Sequence, residues 1–203
     1  MAVHLHQFDL PDDVSFADQV AVDTETTGLD LNRDRLCVVQ LSAGDGDAHL
    51  VHFPRPEYKA PNLCRLLANE NVTKLFHFAR FDVAMLGQAM NVICRPVYCT
   101  KIASKLVRTY TDRHGLKDLC SELIGVDLSK KQQSSDWAAE TLSEAQQTYA
   151  ANDVLHLHKL REKLDAMLQR EGRDDVAEAC FDFLEVRAAL DLAGWDGEDI
   201  FAH

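Results

Sequence analysis

The sequence predicts an α/β domain built on a mixed five-stranded sheet flanked by helices. Three observations carry that expectation. Short β-branched-rich runs crowd the first half of the chain. Apolar residues three and four apart fill the second half. Between them, short apolar runs alternate with helical stretches, the order expected when helices cover a mixed sheet.

Residues 19–25 (QVAVDTE), 36–42 (LCVVQLS) and 48–53 (AHLVHF) read as strands. Gly28 with residues 30–35, then Gly44 to Gly46, separate them, which suggests an antiparallel meander. Leu63, Leu66 and Leu67 give residues 61–70 helical spacing. An apolar run over 74–78 reads as a strand, followed by a helix over 81–90. Residues 92–99 offer a further strand, which Pro96 confines to an edge or a short piece. Helices are expected over 100–110, 115–125, 143–169 and 174–193. Ser143 followed by Gln146 reads as a capping box opening the long one.

At 203 residues the chain suits one domain with a sizeable core. No run approaches the length of a membrane helix, and the first ten residues lack a signal-peptide pattern, so a cytoplasmic protein is expected. The six cysteines show no CxxC pair and read as reduced, mostly buried thiols. A formal net charge of −12 argues against gripping long duplexes, where many phosphates must be neutralised. The charge is uneven. Residues 101–131 hold seven basic and four acidic side chains, whereas residues 161–203 hold five and twelve. A short substrate held at its end by metal ions remains compatible with this balance.

Three segments carry the chemistry. Asp23 and Glu25 lie in AVDTETTGL, two apart on an apolar strand, so they share a face at its end and suit a divalent cation. Taken alone, the pair reads equally as a polar strand end. Tyr149 and Asp153 lie four apart in QTYAANDVLHL, stacked on one helix face; alone they read as a core tyrosine and a solvated aspartate. Asp82 sits in apolar company in LFHFARFDVAML, either as a helix N-terminal charge or as a further carboxylate for the same metals.

Their fixed order changes the reading. DTETTGL (23–29), HFARFD (77–82) and YAANDV (149–154), with GLKDLCSELIGV (115–126) and KKQQSSDW (130–137) between, resemble the tyrosine-type DEDD exonucleases, and within them the nuclease domain of ribonuclease D. The resemblance covers nearly all of residues 15–165. The sister branch carries a histidine five residues before the last aspartate, where this chain has Thr148. Many relatives place asparagine where this chain reads Phe78 or Ala79, a departure that leaves Asp82 in place.

The resemblance implies a ribonuclease H-like (DnaQ-like exonuclease) fold, with an exonuclease domain over 1–170 and a C-terminal helix and tail over 171–203. It implies a 3'-5' exoribonuclease that releases nucleoside 5'-monophosphates. Asp23, Glu25, Asp82 and Asp153 would hold two divalent cations, Mg²⁺ or Mn²⁺, with Asp23 bridging and Asp82 acting through water. Tyr149 would orient the attacking water. Thr26, Gly28, Leu29, His77, Lys130, Gln133 and Ser135 would touch substrate, Leu29 as an apolar wedge against the terminal bases. After the nuclease segment the sequence continues only through residues 173–203, as in the compact bacterial nanoRNase C form. That form implies very short RNA substrates, down to dinucleotides, and a homo-oligomer arranged as a ring. Phe181, Phe183, Leu184, Trp195, Ile200 and Phe201 are candidates for subunit contacts, although residues 181–192 read equally as a helix packed on its own domain. The competing readings are a broader exonuclease on longer RNA or DNA, and an inactive nuclease fold used as a scaffold. The second would be expected to have lost at least one carboxylate.

Overall fold

The computed structural model describes residues 2–129, 131, 132 and 134–203. Its strands are β1 (Val3–Gln7), β2 (Gln19–Thr26), β3 (Leu36–Ser42), β4 (Ala48–His52), β5 (Thr73–Phe76) and β6 (Val97–Cys99). They form one mixed sheet in the order β1-β4-β3-β2-β5-β6. The expected count of five is therefore corrected to six. The extra strand is β1, which pairs in parallel with β4 at the sheet edge. Its Val3 and Leu5 alternate with His4 and His6 and no residue of it is fully buried, so its apolar signal is weak.

The meander is as expected: β2 pairs antiparallel with β3, and β3 with β4. On its other side β2 pairs in parallel with β5, and β5 with β6. Among the described strands β3 thus runs against the others, and β2 pairs antiparallel on one side and parallel on the other. The carboxyl ends of β2, β5 and β6 point to one edge, which is where open α/β sheets place ligands. Val20, Ala21 and Val22 are fully buried and anchor the strand beneath that edge.

The helices are α1 (Pro61–Leu67), α2 (Ala79–Met90), α3 (Thr100–Val107), α4 (Leu116–Leu119), α5 (Glu144–Val154), α6 (Leu157–Glu171) and α7 (Asp174–Leu190). A wider π turn over Cys120–Ile124 continues α4. The single long helix expected over 143–169 divides into α5 and α6 at residues 155 and 156. Its start is as expected: Gln146 N donates to Ser143 Oγ at 3.3 Å, and Ser143 N donates to Gln146 Oε1 at 3.0 Å. Helix α5 lies over β2, β3 and β4, where Val38, Leu50, Trp137, Leu142 and Ala150 make a small apolar cluster.

Helix α7 packs against α2, α3 and β6. Its Phe181 and Leu184 are buried in the main core, the Phe181 ring 4.6 Å from Tyr98. Trp195, Ile200 and Phe201 are exposed. The cysteines are free, four of them buried. Among the described residues no helix is long and apolar enough to cross a membrane.

Candidate active site

Strand β2 delivers the first two carboxylates. Asp23 and Glu25 alternate with inward-facing Val22 and Thr24, so they share the face covered by α5. A β-bulge falls between Glu25 and Thr26, where the strand leaves the sheet. Bulges of this kind re-aim side chains beside functional sites. Asp153, near the end of α5, completes a group in which one oxygen from each of Asp23, Glu25 and Asp153 lies within 4.8 Å of the others.

Asp82 reaches the cluster from the first turn of α2, after β5. It is buried, and Thr24 Oγ1 donates to its Oδ1 at 2.6 Å. Thr24 is the residue between Asp23 and Glu25, pointing to the opposite face; reasoning on motifs alone passed over it. Its burial and its bond to Asp82 appear only in three dimensions. One turn before Asp153, Tyr149 donates its hydroxyl to the Asp153 carboxylate. The Tyr149 ring lies 6.0 Å from buried Trp137. Gln146 Nε2 donates to Asp136 O at 3.0 Å, tying residues 134–137 to the start of α5.

Burial is the main electrostatic fact here. It pushes Glu25 up to about 9, with the Asp153 and Asp82 charges adding to the shift. Burial likewise raises Asp82 and Asp153 to about 7, against opposing hydrogen bonds from Thr24 and Tyr149. Asp23 rises well above the carboxylate range through burial and then its three carboxylate neighbours. Burial and the adjacent carboxylates raise Tyr149, so its phenol keeps its proton at neutral pH. Such a site is short of positive charge. A set made only of carboxylate oxygens fits a hard divalent cation and offers no sulfur or imidazole to a softer one.

A pH prediction follows by linkage. A carboxyl whose folded pKa is raised leaves the unfolded chain binding fewer protons, so stability falls as pH rises from about 4 towards the folded value. Without metal, this part of the stability should be lost between about pH 4 and the values of 7 to 9 given above. The melting midpoint in Mg²⁺ minus that in chelator should therefore widen from pH 5.5 to 8. At hundredfold excess over Kd it should reach on the order of 5–10 °C for a chain this size. Taking the difference removes contributions from histidines outside the site. A gap that narrows with pH would count against the carboxylate cluster as the ion's seat.

The rim is built by the turn after β2. Thr26 Oγ1 donates to Gly28 O at 2.6 Å, and Arg35 N to Thr27 Oγ1 at 3.0 Å. A Cβ on Gly28 would stand 2.3 Å from Asp34 Oδ2, so a larger residue there would displace the carboxylate that accepts from Asp30 N at 2.9 Å. The turn presents Leu29 outward, 84% exposed. Across from it Phe78 is 45% exposed at a left-handed φ of 74°, a conformation costly for a bulky residue. Lys101 Nζ lies 4.2 Å from the centre of its ring. His77 is half-buried with Nδ1 2.9 Å from Thr100 Oγ1; burial and then Lys101 lower it to about 3, so it is neutral at any physiological pH. Ser135 donates to Gln132 Oε1 at 2.7 Å. Lys130 and Gln133 lie outside the described residues.

A model of the family described as 3'-5' exonuclease matches residues 9–169. Ribonuclease D from Acidiphilium cryptum is 38% identical over 156 residues, which is 77% of this chain. The chain spans only 39% of that relative's length. Brucella melitensis NrnC is 57% identical, with a TM-score of 0.96 over 100% of this chain and 98% of that one. Structures of that protein also exist bound to pGG and with bound Mg²⁺. Escherichia coli RNase D, at 23% identity and a TM-score of 0.75 over 85% of this chain and 45% of that one, shares the fold.

Proposed function

Because this chain belongs to the 3'-5' exonuclease family, we propose that it hydrolyses short oligoribonucleotides from the 3' end, down to dinucleotides, releasing nucleoside 5'-monophosphates. The observation that carries this reading is the convergence of Asp23, Glu25 and Asp153 within 4.8 Å, with Asp82 beside them. The short-substrate part leans on the pGG-bound Brucella protein and on the acidic net charge.

In this reading Asp23, Glu25 and Asp153 would hold one divalent cation and Asp82 would help to hold a second, Mg²⁺ or Mn²⁺. When bound, such a pair of ions acidifies a water and neutralises charge at the scissile phosphate. Tyr149, its hydroxyl fixed on Asp153, orients the attacking water; as a protonated phenol it does not serve as the base. Thr26, Gly28, His77 and Ser135 line the approach of the terminal nucleotide, and Lys130 and Gln133 are assigned there by sequence alone. Exposed Trp195, Ile200 and Phe201 are the surface for a homo-oligomer, which sedimentation at several concentrations would reveal.

Leu29 acts as the wedge against the terminal bases. Leu29→Ala should raise KM about tenfold, the scale of losing one buried apolar side chain, while kcat changes less. An unchanged KM would remove Leu29 from the binding surface. The reading as a whole is tested by product mapping on 5'-labelled RNA and DNA of two, five and twenty nucleotides. The dinucleotide RNA should be cleaved fastest. Equal rates at every length would favour a broader ribonuclease D-like exonuclease.

A further inference from the structure

We propose that Gln40 is a positioning residue of the metal site, its buried carboxamide fixing the Asp23 carboxylate for a divalent cation. This rests on the assignment of Asp23 as a metal ligand made above.

Strand β3 reads LCVVQLS, and all seven of its residues are buried. Gln40 is the one with a long polar side chain, and it is 0% exposed. Among the described residues neither its Nε2 nor its Oε1 has a hydrogen-bond partner. A buried amide is costly to leave unpaired, and native proteins rarely do so, so such a group calls for a partner.

The register points to that partner. Gln40 stands directly opposite Asp23 on β2 and opposite Leu50 on β4. Residues paired in this way face the same side, with Cβ atoms about 4.5–5.5 Å apart, a gap that a glutamine amide spans. On its own strand the same face carries Val38 and Ser42. Val38 and Leu50 are apolar and pack with Ala150 of α5. Ser42 is already engaged: its Oγ donates to Asp47 O at 2.7 Å and accepts from Gly44 N at 3.2 Å. Of these four neighbours Asp23 alone is left to take the amide. One Asp23 oxygen lies within 4.8 Å of oxygens of Glu25 and Asp153, and a cation is held there only if the carboxylates keep facing it. Nε2 donating to Asp23 fixes the rotation of that carboxylate, as groups behind metal ligands commonly do. A neutral amide suits the place. It orients the ligand without cancelling the negative charge that holds the ion, as a lysine or arginine would.

The test measures two quantities on the full-length protein at pH 8: Mg²⁺ affinity by isothermal titration calorimetry, and the melting midpoint in chelator. It compares the wild type with Gln40→Met and Gln40→Leu. Methionine matches glutamine closely in length and shape but cannot donate. Both variants should bind Mg²⁺ about tenfold to a hundredfold more weakly, the scale for losing a group that orients a metal ligand. Their melting midpoints in chelator should equal or exceed that of wild type, because an unpaired buried amide gives way to an apolar group. A residue that only packs the core would give the opposite pair of results, a lower midpoint with the affinity kept. Unchanged Mg²⁺ affinity overturns the role of Gln40. So does a midpoint in chelator well below wild type, or failure of both variants to fold, either of which makes the residue structural. A wild type that binds Mg²⁺ no more tightly than the variants overturns Gln40 alone and leaves the carboxylate site standing. A wild type that binds no Mg²⁺ overturns both.

Discussion

Replacing Asp23 with Ala, or Asp153 with Asn, is expected to lower kcat by at least about a thousandfold, the several kcal/mol that metal-assisted charge neutralisation supplies. Each change removes the charge of one of three carboxylates whose oxygens lie within 4.8 Å of one another, so that trio loses a third of its negative charge. The fold should survive. In the metal-free protein these groups repel one another and are held above their usual pKa chiefly by burial. Removing one charge relieves that cost, so at pH 8 in chelator the melting midpoint should equal or exceed that of wild type. Sites assembled for chemistry commonly sacrifice stability in this way. Activity above a few per cent of wild type in either variant would contradict the metal assignment. So would a melting midpoint far below wild type, which would make these residues structural.

Tyr149→Phe should lower kcat by about a hundredfold with KM nearly unchanged, the low end for a group that positions a proton or a water. The ring and its packing beside Trp137 are kept, and only the hydroxyl that donates to Asp153 is lost. Burial and neighbouring charge keep the wild-type phenol protonated, so its ionisation does not shape the pH–rate profile. The variant should show a profile of similar form at lower height. Because the Tyr149 hydrogen bond lowers Asp153, its acidic limb should move slightly upward in pH. Loss of a rise in rate towards alkaline pH in the variant would instead make the tyrosine the base. A tenfold rise in KM with kcat intact would make it a binding group.

Much of this was legible in the sequence because it is local. The meander from β2 to β4 follows from β-branched runs broken by Gly28, Gly44 and Gly46, and the start of α5 from Ser143 and Gln146. The DxE pair and the YxxxD pair sit at spacings that place each pair on one face. What stayed hidden is tertiary or weakly patterned. Strand β1 is a half-exposed edge whose histidines blur its alternation, hence five strands expected and six present. The break between α5 and α6 carries no proline or glycine to announce it. Thr24 matters through Asp82, 58 residues away. No spacing rule reaches that far. Phe78 stood out only as a departure from its relatives, and its left-handed backbone appears only in three dimensions.

The central claim is that a carboxylate cluster at the carboxyl end of β2 drives stepwise removal of nucleotides from a 3' end. A time course on 5'-labelled RNA, resolved to single nucleotides and run in Mg²⁺ and in chelator, tests it most directly. Successive loss of one nucleotide from the 3' end in Mg²⁺, and no cleavage in chelator or with Asp23→Ala, is the predicted result. Internal cuts, or shortening that persists when the metal is removed, would contradict it.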